Sequence, residues 1–420
     1  MVAVAHLRTG LVLLSFAVFI YILLAIYKAD ATQRFHDVII GIDTQDYIPC
    51  QNQYPVNEEK QWSSDNENFT VISLEFFHYL ASHLNGPFPG VENYTHYVVA
   101  KSRLKPLPVK QLRAEFGPVL NDVTYFRYPI RIPPCRYAPS GSCPSFLVVV
   151  ISAPNYFHKR DIIRRTWLRH LQMQSDLDLM DLSGFGFIVG LTEDRETQKR
   201  IEEESETYGD ILQIEMLDDY YNLTLKVVGL LNWINDHCSR VDFVLKVDDD
   251  VYVNTKNLIK AVATVNSSEQ SIYGSVVHNP PQREGKWKIS LEDWPWSTYP
   301  TYFSGGGVLM PGITIAPILA AAQTIPYMPF DDTFFTGLCT AKAGITVQDT
   351  YWMFVGALEE TPEPCDVHTS ITWLTVDVDH FNKSHRATEN FYNNVTQCIV
   401  KDADGNNRTV DPTESISFSR

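Results

Sequence analysis

The sequence predicts an α/β fold in which a mainly parallel sheet is packed between helices, and three observations predict it. Short apolar runs suited to buried strands recur from residue 146 onward. Amphipathic helical patterns separate them, and the fourth run ends on three consecutive carboxylates, Asp248-Asp249-Asp250. Strands alternating with helices fold as a parallel sheet covered on both faces.

Residues 146–151 are continuously apolar, as a strand buried on both faces requires. Over 161–171, Ile163, Trp167 and Leu171 recur every fourth position, which predicts a helix. Residues 185–190 form the second strand. Thr192 then opens a charged helix whose first turn carries Glu193 and Asp194, where helix N-termini favour carboxylates. The third strand covers 211–214. The helix at 222–237 has Leu223, Val227, Leu230, Leu231 and Ile234 on one face, and the fourth strand is 241–247. Ligands of open parallel sheets bind beyond the carboxyl ends of the strands, so the placing of the acidic triplet matters more than its composition.

The chain around this α/β region, 145–376, has a different character. Residues 11–27 carry no charge and only Ser15 is clearly polar. As a helix this stretch is about 25 Å long at about 1.5 Å per residue, close to the ~27 Å of an early-secretory bilayer. A transmembrane signal anchor behind a short cytoplasmic tail, 1–10, is expected. A cleaved signal peptide is the alternative, with Ala29-Asp30-Ala31 as its small-residue site. Residues 28–144 show no sustained strand–helix alternation. With polar runs and Pro-rich pieces, they read as a lumenal stem holding some folded patches, 71–84 among them as an amphipathic helix. Residues 377–420 form a C-terminal extension.

Seven N-x-S/T sequons follow the apolar span, at Asn68, Asn93, Asn222, Asn266, Asn382, Asn394 and Asn407. Together they point to a glycosylated protein whose chain beyond the span is lumenal, in a single-pass type II orientation, with a Golgi membrane expected and the ER left open. The seven cysteines form no CxxC pair, so disulfides are their expected use. One thiol is left over, free or available for a bridge that would make a homodimer. A net charge of −16 argues against a nucleic-acid surface.

Three adjacent carboxylates after a buried strand repel one another unless a positive charge neutralises them. Mn²⁺ or Mg²⁺ shares carboxylate and diphosphate oxygens as ligands and would stabilise a departing nucleoside diphosphate. A solvated acidic turn is the alternative. The strand before the triplet and apolar Val251-Tyr252-Val253 after it favour the metal.

Several motifs then occur in series. They are Ser152-Ala153-Pro154; Arg160-Asp161-Ile162-Ile163-Arg164-Arg165-Thr166-Trp167; Tyr208-Gly209-Asp210-Ile211; and the run from Asp219 through Asn222 to Lys226. Leu245-Lys246-Val247 leads into the triplet, followed by Lys286-Trp287, Tyr299-Pro300-Thr301-Tyr302-Phe303-Ser304-Gly305-Gly306-Gly307, and Asp331-Asp332 with Gly337. The series, over about 146–370, resembles the β1,3-galactosyl- and β1,3-N-acetylglucosaminyltransferases, the fringe-related glycosyltransferase family 31.

The resemblance implies a GT-A-type, Rossmann-like glycosyltransferase domain and an inverting, Mn²⁺-dependent reaction. UDP-Gal or UDP-GlcNAc would be the donor, and a glycan of a glycoprotein or glycolipid the acceptor. It implies that Asp250 ligates the metal, with Asp248 and Asp249 near the ribose and the metal's waters. His368 would complete the metal shell or be an ordinary loop histidine, with His380 as second choice. Asp332 matches the general base of the family's Glu-Asp-Val element. Asp331 and Thr333 depart from that element, which leaves Asp331 as the alternative base.

Arg160, Arg164 and Lys226 are expected near the donor, although arginines four apart on a helix also pair with acidic neighbours. The glycine run is expected to allow close approach of sugar or substrate, or to be a tight turn. Trp287, Trp294, Trp296 and Tyr299 would stack on an acceptor sugar or pack a loop. Two other functions compete: a catalytically silent relative acting as a lumenal chaperone or glycan-binding protein, and a metal-dependent phosphohydrolase.

Overall fold

The computed structural model describes residues 86–136, 143–358, 361–402 and 405–418. All belong to one compact unit, Asn68–Arg420. The expected tail 1–10, the membrane span 11–27, the helix at 71–84, Asn68 and Cys50 lie outside the described residues. Among the described residues no helix is long and apolar enough to cross a membrane.

The main sheet has seven strands: β1 (Ser145–Ile151), β2 (Asp181–Leu191), β3 (Ile211–Leu217), β4 (Phe243–Asp248), β6 (Ser271–Val277), β7 (Tyr302–Pro311) and β8 (Thr346–Asp349). Their order is β3-β2-β1-β4-β7-β6-β8. The first four are parallel, β7 runs antiparallel to β4 and to β6, and β8 is parallel to β6. The sheet is therefore parallel in the half legible as strand–helix alternation and mixed beyond it. Strand β1 shows why its residues form a central strand. Leu147, Val149 and Ile151 enter one apolar cluster, while Phe146, Val148 and Val150 enter the cluster on the opposite face.

The helix expected over 161–171 is two helices, Phe157–Arg165 and Trp167–Asp176, meeting at Thr166. The Thr166 hydroxyl donates to the Ile162 carbonyl (2.6 Å), and this local bond competes with helix continuation. The charged helix is Arg195–Tyr208. Asp194 precedes it as N-cap, accepting the Thr197 N–H (3.1 Å), rather than lying in its first turn.

A second sheet, β5 (Val251–Val253), β10 (Thr372–Leu374) and β9 (Phe354–Ala357), takes up the chain as it leaves the triplet. Thr375 donates through its backbone N–H (2.7 Å) and hydroxyl (2.8 Å) to the Asp250 carbonyl. The acidic turn is thereby clamped between two sheets.

Both flanks of the α/β region pack into this unit. In the segment expected as stem, the helix Val91–Ser102 buries Val91 and Tyr94, and Val123, Tyr128 and Ile132 join the same cluster as β1. Ile130 bridges Gln213 of β3, and a disulfide joins Cys135 to Cys238. These contacts are single bridges and isolated side chains, which leave no periodic trace in a sequence. In the C-terminal segment, the helix Val378–Tyr392 buries Phe381 and Phe391, and Cys365 pairs with Cys398. Cys339 is a buried free thiol.

Candidate active site

Strand β4 is apolar apart from Lys246 and its last residue, Asp248, so the triplet begins at its carboxyl end. The three carboxylates meet different surroundings. Asp249 is buried, accepting from Lys159 Nζ at Oδ1 (2.7 Å) and from the Ser152 hydroxyl at Oδ2 (2.8 Å). Its pKa is nevertheless raised, because burial outweighs these partners. Asp248 lies 3.4 Å from Lys246 Nζ. Burial, with Asp331, Asp250 and Asp249 adding repulsion against the opposing Lys246, pushes Asp248 up to about 6. Asp250 is the most open of the three, its side chain 46% exposed, with Lys159 Nζ 3.6 Å from Oδ2.

Asp331 and Asp332 are brought in by the first helical residues before Thr333–Cys339, a segment with π-type hydrogen bonding. Asp331 Oδ2 is 3.8 Å from Lys246 Nζ. Burial alone would lower Lys246, but Asp248, Asp331 and Asp332 together raise it. The Asp332 carboxyl is held well above the usual carboxylate range by burial and then by Asp331. Beneath it lies β7, where a β-carbon at Gly305 would come within 2.9 Å of both Asp332 oxygens. The glycine run thus makes room for Asp332 itself.

Five carboxylates, Asp248, Asp249, Asp250, Asp331 and Asp332, accordingly face two ammonium groups, Lys159 and Lys246. Five less two leaves an excess of three negative charges, or two when Asp332 keeps its proton. A hard divalent cation with oxygen ligands suits that excess, and Asp250 is the carboxylate open enough to reach one.

The basic residues expected at the donor are each engaged by a protein carboxylate. Arg160 is fully buried and donates to Glu204, the Ser152 hydroxyl, and the carbonyls of Ala153 and Pro154. Arg164 holds Asp210 through two bonds of 2.8 Å and pairs with Glu204 (2.7 Å). Lys226 is buried against Asp218 (2.7 Å) and the Ser152 carbonyl (3.0 Å). Direct donor contact does not fit these three. Arg160 and Lys226 pin the loop 152–154, whose Ser152 bonds Asp249, and Arg164 holds the Glu204 that Arg160 also binds.

His368 is not gathered with the triplet either. Its charged neighbours are Lys260, Glu414 and Arg408, and burial lowers its pKa. Its Nδ1 is buried without a hydrogen-bond partner. His380 Nδ1 accepts the Val376 N–H (3.3 Å).

The aromatic stretch divides. Trp294 and Trp296 are fully buried, packing with Tyr299, Tyr94 and Phe88. Trp287 is half-exposed, and its Nε1 donates to the Tyr220 hydroxyl (2.7 Å). Lys286 Nζ lies 4.3 Å from the centroid of the Tyr220 ring. Burial raises the Tyr220 pKa, and Asp332, Asp331 and Asp248 add to the rise, which puts this aromatic pair beside the carboxylates.

Sequence reasoning missed Lys159, Lys246 and Tyr220. One signal was present for Lys246, since a lysine inside an otherwise apolar strand must be buried and needs a charged partner.

Comparison with known proteins decides the family. The galactosyltransferase family model matches residues 158–351. The chain is 30% identical over 220 residues to beta-1,3-galactosyltransferase 5 of Pan paniscus, covering 52% of this chain and 70% of that protein. It is 34% identical over 238 residues to beta-1,3-galactosyltransferase brn of Drosophila melanogaster, covering 55% and 70%. The chain belongs to the galactosyltransferase family. A human relative, lactosylceramide 1,3-N-acetyl-beta-D-glucosaminyltransferase, is 32% identical over 226 residues, covering 52% of this chain and 59% of that protein. Lys246, the triplet, Trp287, Gly305, Asp331 and Asp332 of this galactosyltransferase-family chain all fall within the family match. His368 falls beyond it.

Proposed function

We propose that this protein transfers galactose or N-acetylglucosamine from a UDP-sugar to a glycan hydroxyl, with inversion, forming a β1,3 link. The observation that carries the reading is the raised Asp332 carboxyl beside the triplet, inside the family match. An inverting transfer needs one base to take the acceptor proton, and a carboxylate whose pKa is raised holds that proton better. Asp332 is the base and Asp331, closer to Lys246, is its neighbour. Asp250 would hold Mn²⁺ or Mg²⁺, which when bound supplies charge stabilisation to the departing diphosphate. Asp248 and Asp249 face the nucleotide side, with Lys159 orienting Asp249 and Asp250. Trp287 and Tyr220 offer a half-exposed aromatic surface for a sugar ring next to the base.

Relatives named for both galactosyl and N-acetylglucosaminyl transfer match alike, so donor choice rests on assay. The apolar span 11–27 and the sequons support a Golgi-membrane, type II placement. The catalytically silent alternative is not favoured, because triplet and base gather into one site.

The test is a donor screen on the full chain in detergent, following UDP release and product linkage with Mn²⁺ and with chelator. Turnover with one donor, lost on chelation and in Asp250→Ala, is expected. No turnover with any UDP-sugar would sink the reading.

A further inference from the structure

A second cluster of ligating groups lies outside the acidic site. His385 and Glu389, four apart, share one face of the helix Val378–Tyr392. His170 meets them from the helix Trp167–Asp176. His170 Nε2 is 3.7 Å and His385 Nε2 3.9 Å from the same Glu389 oxygen, Oε1. The two imidazole centroids are 4.6 Å apart, and the three ligand atoms lie within 4.8 Å of one another. Among the described residues this is the sole such group.

We propose that His170, His385 and Glu389 bind Zn²⁺, clamping the 167–176 helix to the C-terminal helix. Two imidazoles and a carboxylate suit zinc, whose bonds of about 2.0–2.1 Å place tetrahedral ligand atoms about 3.3 Å apart. Closing from the observed separations needs side-chain shifts of about an ångström.

The Tyr252 hydroxyl is hydrogen-bonded to His385 Nδ1 (3.1 Å), while Nε2 faces the Glu389 carboxylate. A polar group behind the ring is how metal-binding histidines are oriented.

A cavity of about 160 Å³ adjoins the cluster, lined by Gln174, Asn254 and Tyr392 among others, with space for a water as fourth ligand. Lys256 and Arg169 are the opposing charges. Lys256 Nζ sits 4.2 Å from the Tyr392 ring centroid, which takes up part of its field.

The test uses full-length, tag-free protein carrying Asp250→Ala, so that the acidic site does not compete. Calorimetry with Zn²⁺ should show one site per chain, with Mn²⁺ at least ten-fold weaker. Co²⁺ substituted for zinc should give the visible absorption of a tetrahedral site. Glu389→Gln, at an exposed position, should weaken Zn²⁺ at least ten-fold while keeping the circular dichroism of the parent. His385→Gln should do the same. Absence of a Zn²⁺ site in the Asp250→Ala protein, or equal Zn²⁺ affinity in folded Glu389→Gln, would overturn the proposal.

Discussion

Gly305 lies directly under Asp332: a β-carbon there would sit 2.9 Å from both oxygens of that carboxyl. The contact crosses from strand β7 to the helical residues that open the π-type segment, so a glycine in the sheet sets the position of the proposed base. Gly305→Ala should therefore displace Asp332 while leaving the fold intact, since the group that must move is a side-chain end. The expected result is a loss in kcat of about 10–100-fold, ~1.4–2.7 kcal/mol of barrier, with a melting temperature close to the parent's. A parent-like kcat would show that Asp332 is not the base.

The pH dependence follows from the raised carboxyls. As a base, Asp332 works only when deprotonated, so kcat/KM should rise with pH through a value well above an ordinary aspartate's ~3.9. Stability moves the other way. The folded pKa of Asp248 is raised to about 6, so between ~4 and about 6 the folded state binds more protons than the unfolded state. Metal-free protein should lose this contribution as pH rises through that window. Urea denaturation of parent and Asp248→Asn across it should show a smaller fall in the variant.

Arg160 is the test of a supporting rather than ligand-contacting role. It is fully buried and bound to Glu204. Arg160→Ala should destabilise the protein by about 3–5 kcal/mol, as removal of one partner of a buried ion pair does. Urea denaturation measures that loss. A parent-like stability with weakened UDP binding in Arg160→Ala would instead put the arginine on the donor.

Trp287 should act on the acceptor. Its ring is half-exposed and held by the Tyr220 hydroxyl, unlike the buried Trp294 and Trp296. Trp287→Ala should raise the acceptor KM by about ten-fold, ~1.4 kcal/mol, with the donor KM nearly unchanged. An equal rise for both substrates would contradict an acceptor surface.

The sequence by itself determined the parallel half of the sheet and the place of the acidic triplet. Both are local: a run such as 146–151, apolar at every position, has no half-exposed solution, and a motif at a strand's carboxyl end is placed by the strand. It also carried the motif series that marks the family. Only the tertiary structure decided the partners. Lys159 reaches Asp249 across 90 residues and Trp287 reaches Tyr220 across 67. It also set Arg160, Arg164 and Lys226 against Glu204, Asp210 and Asp218. A lone basic residue in a motif has the same chemistry for a phosphate as for a carboxylate. Which one it meets depends on what the fold buries beside it, and burial is a property of the assembled chain.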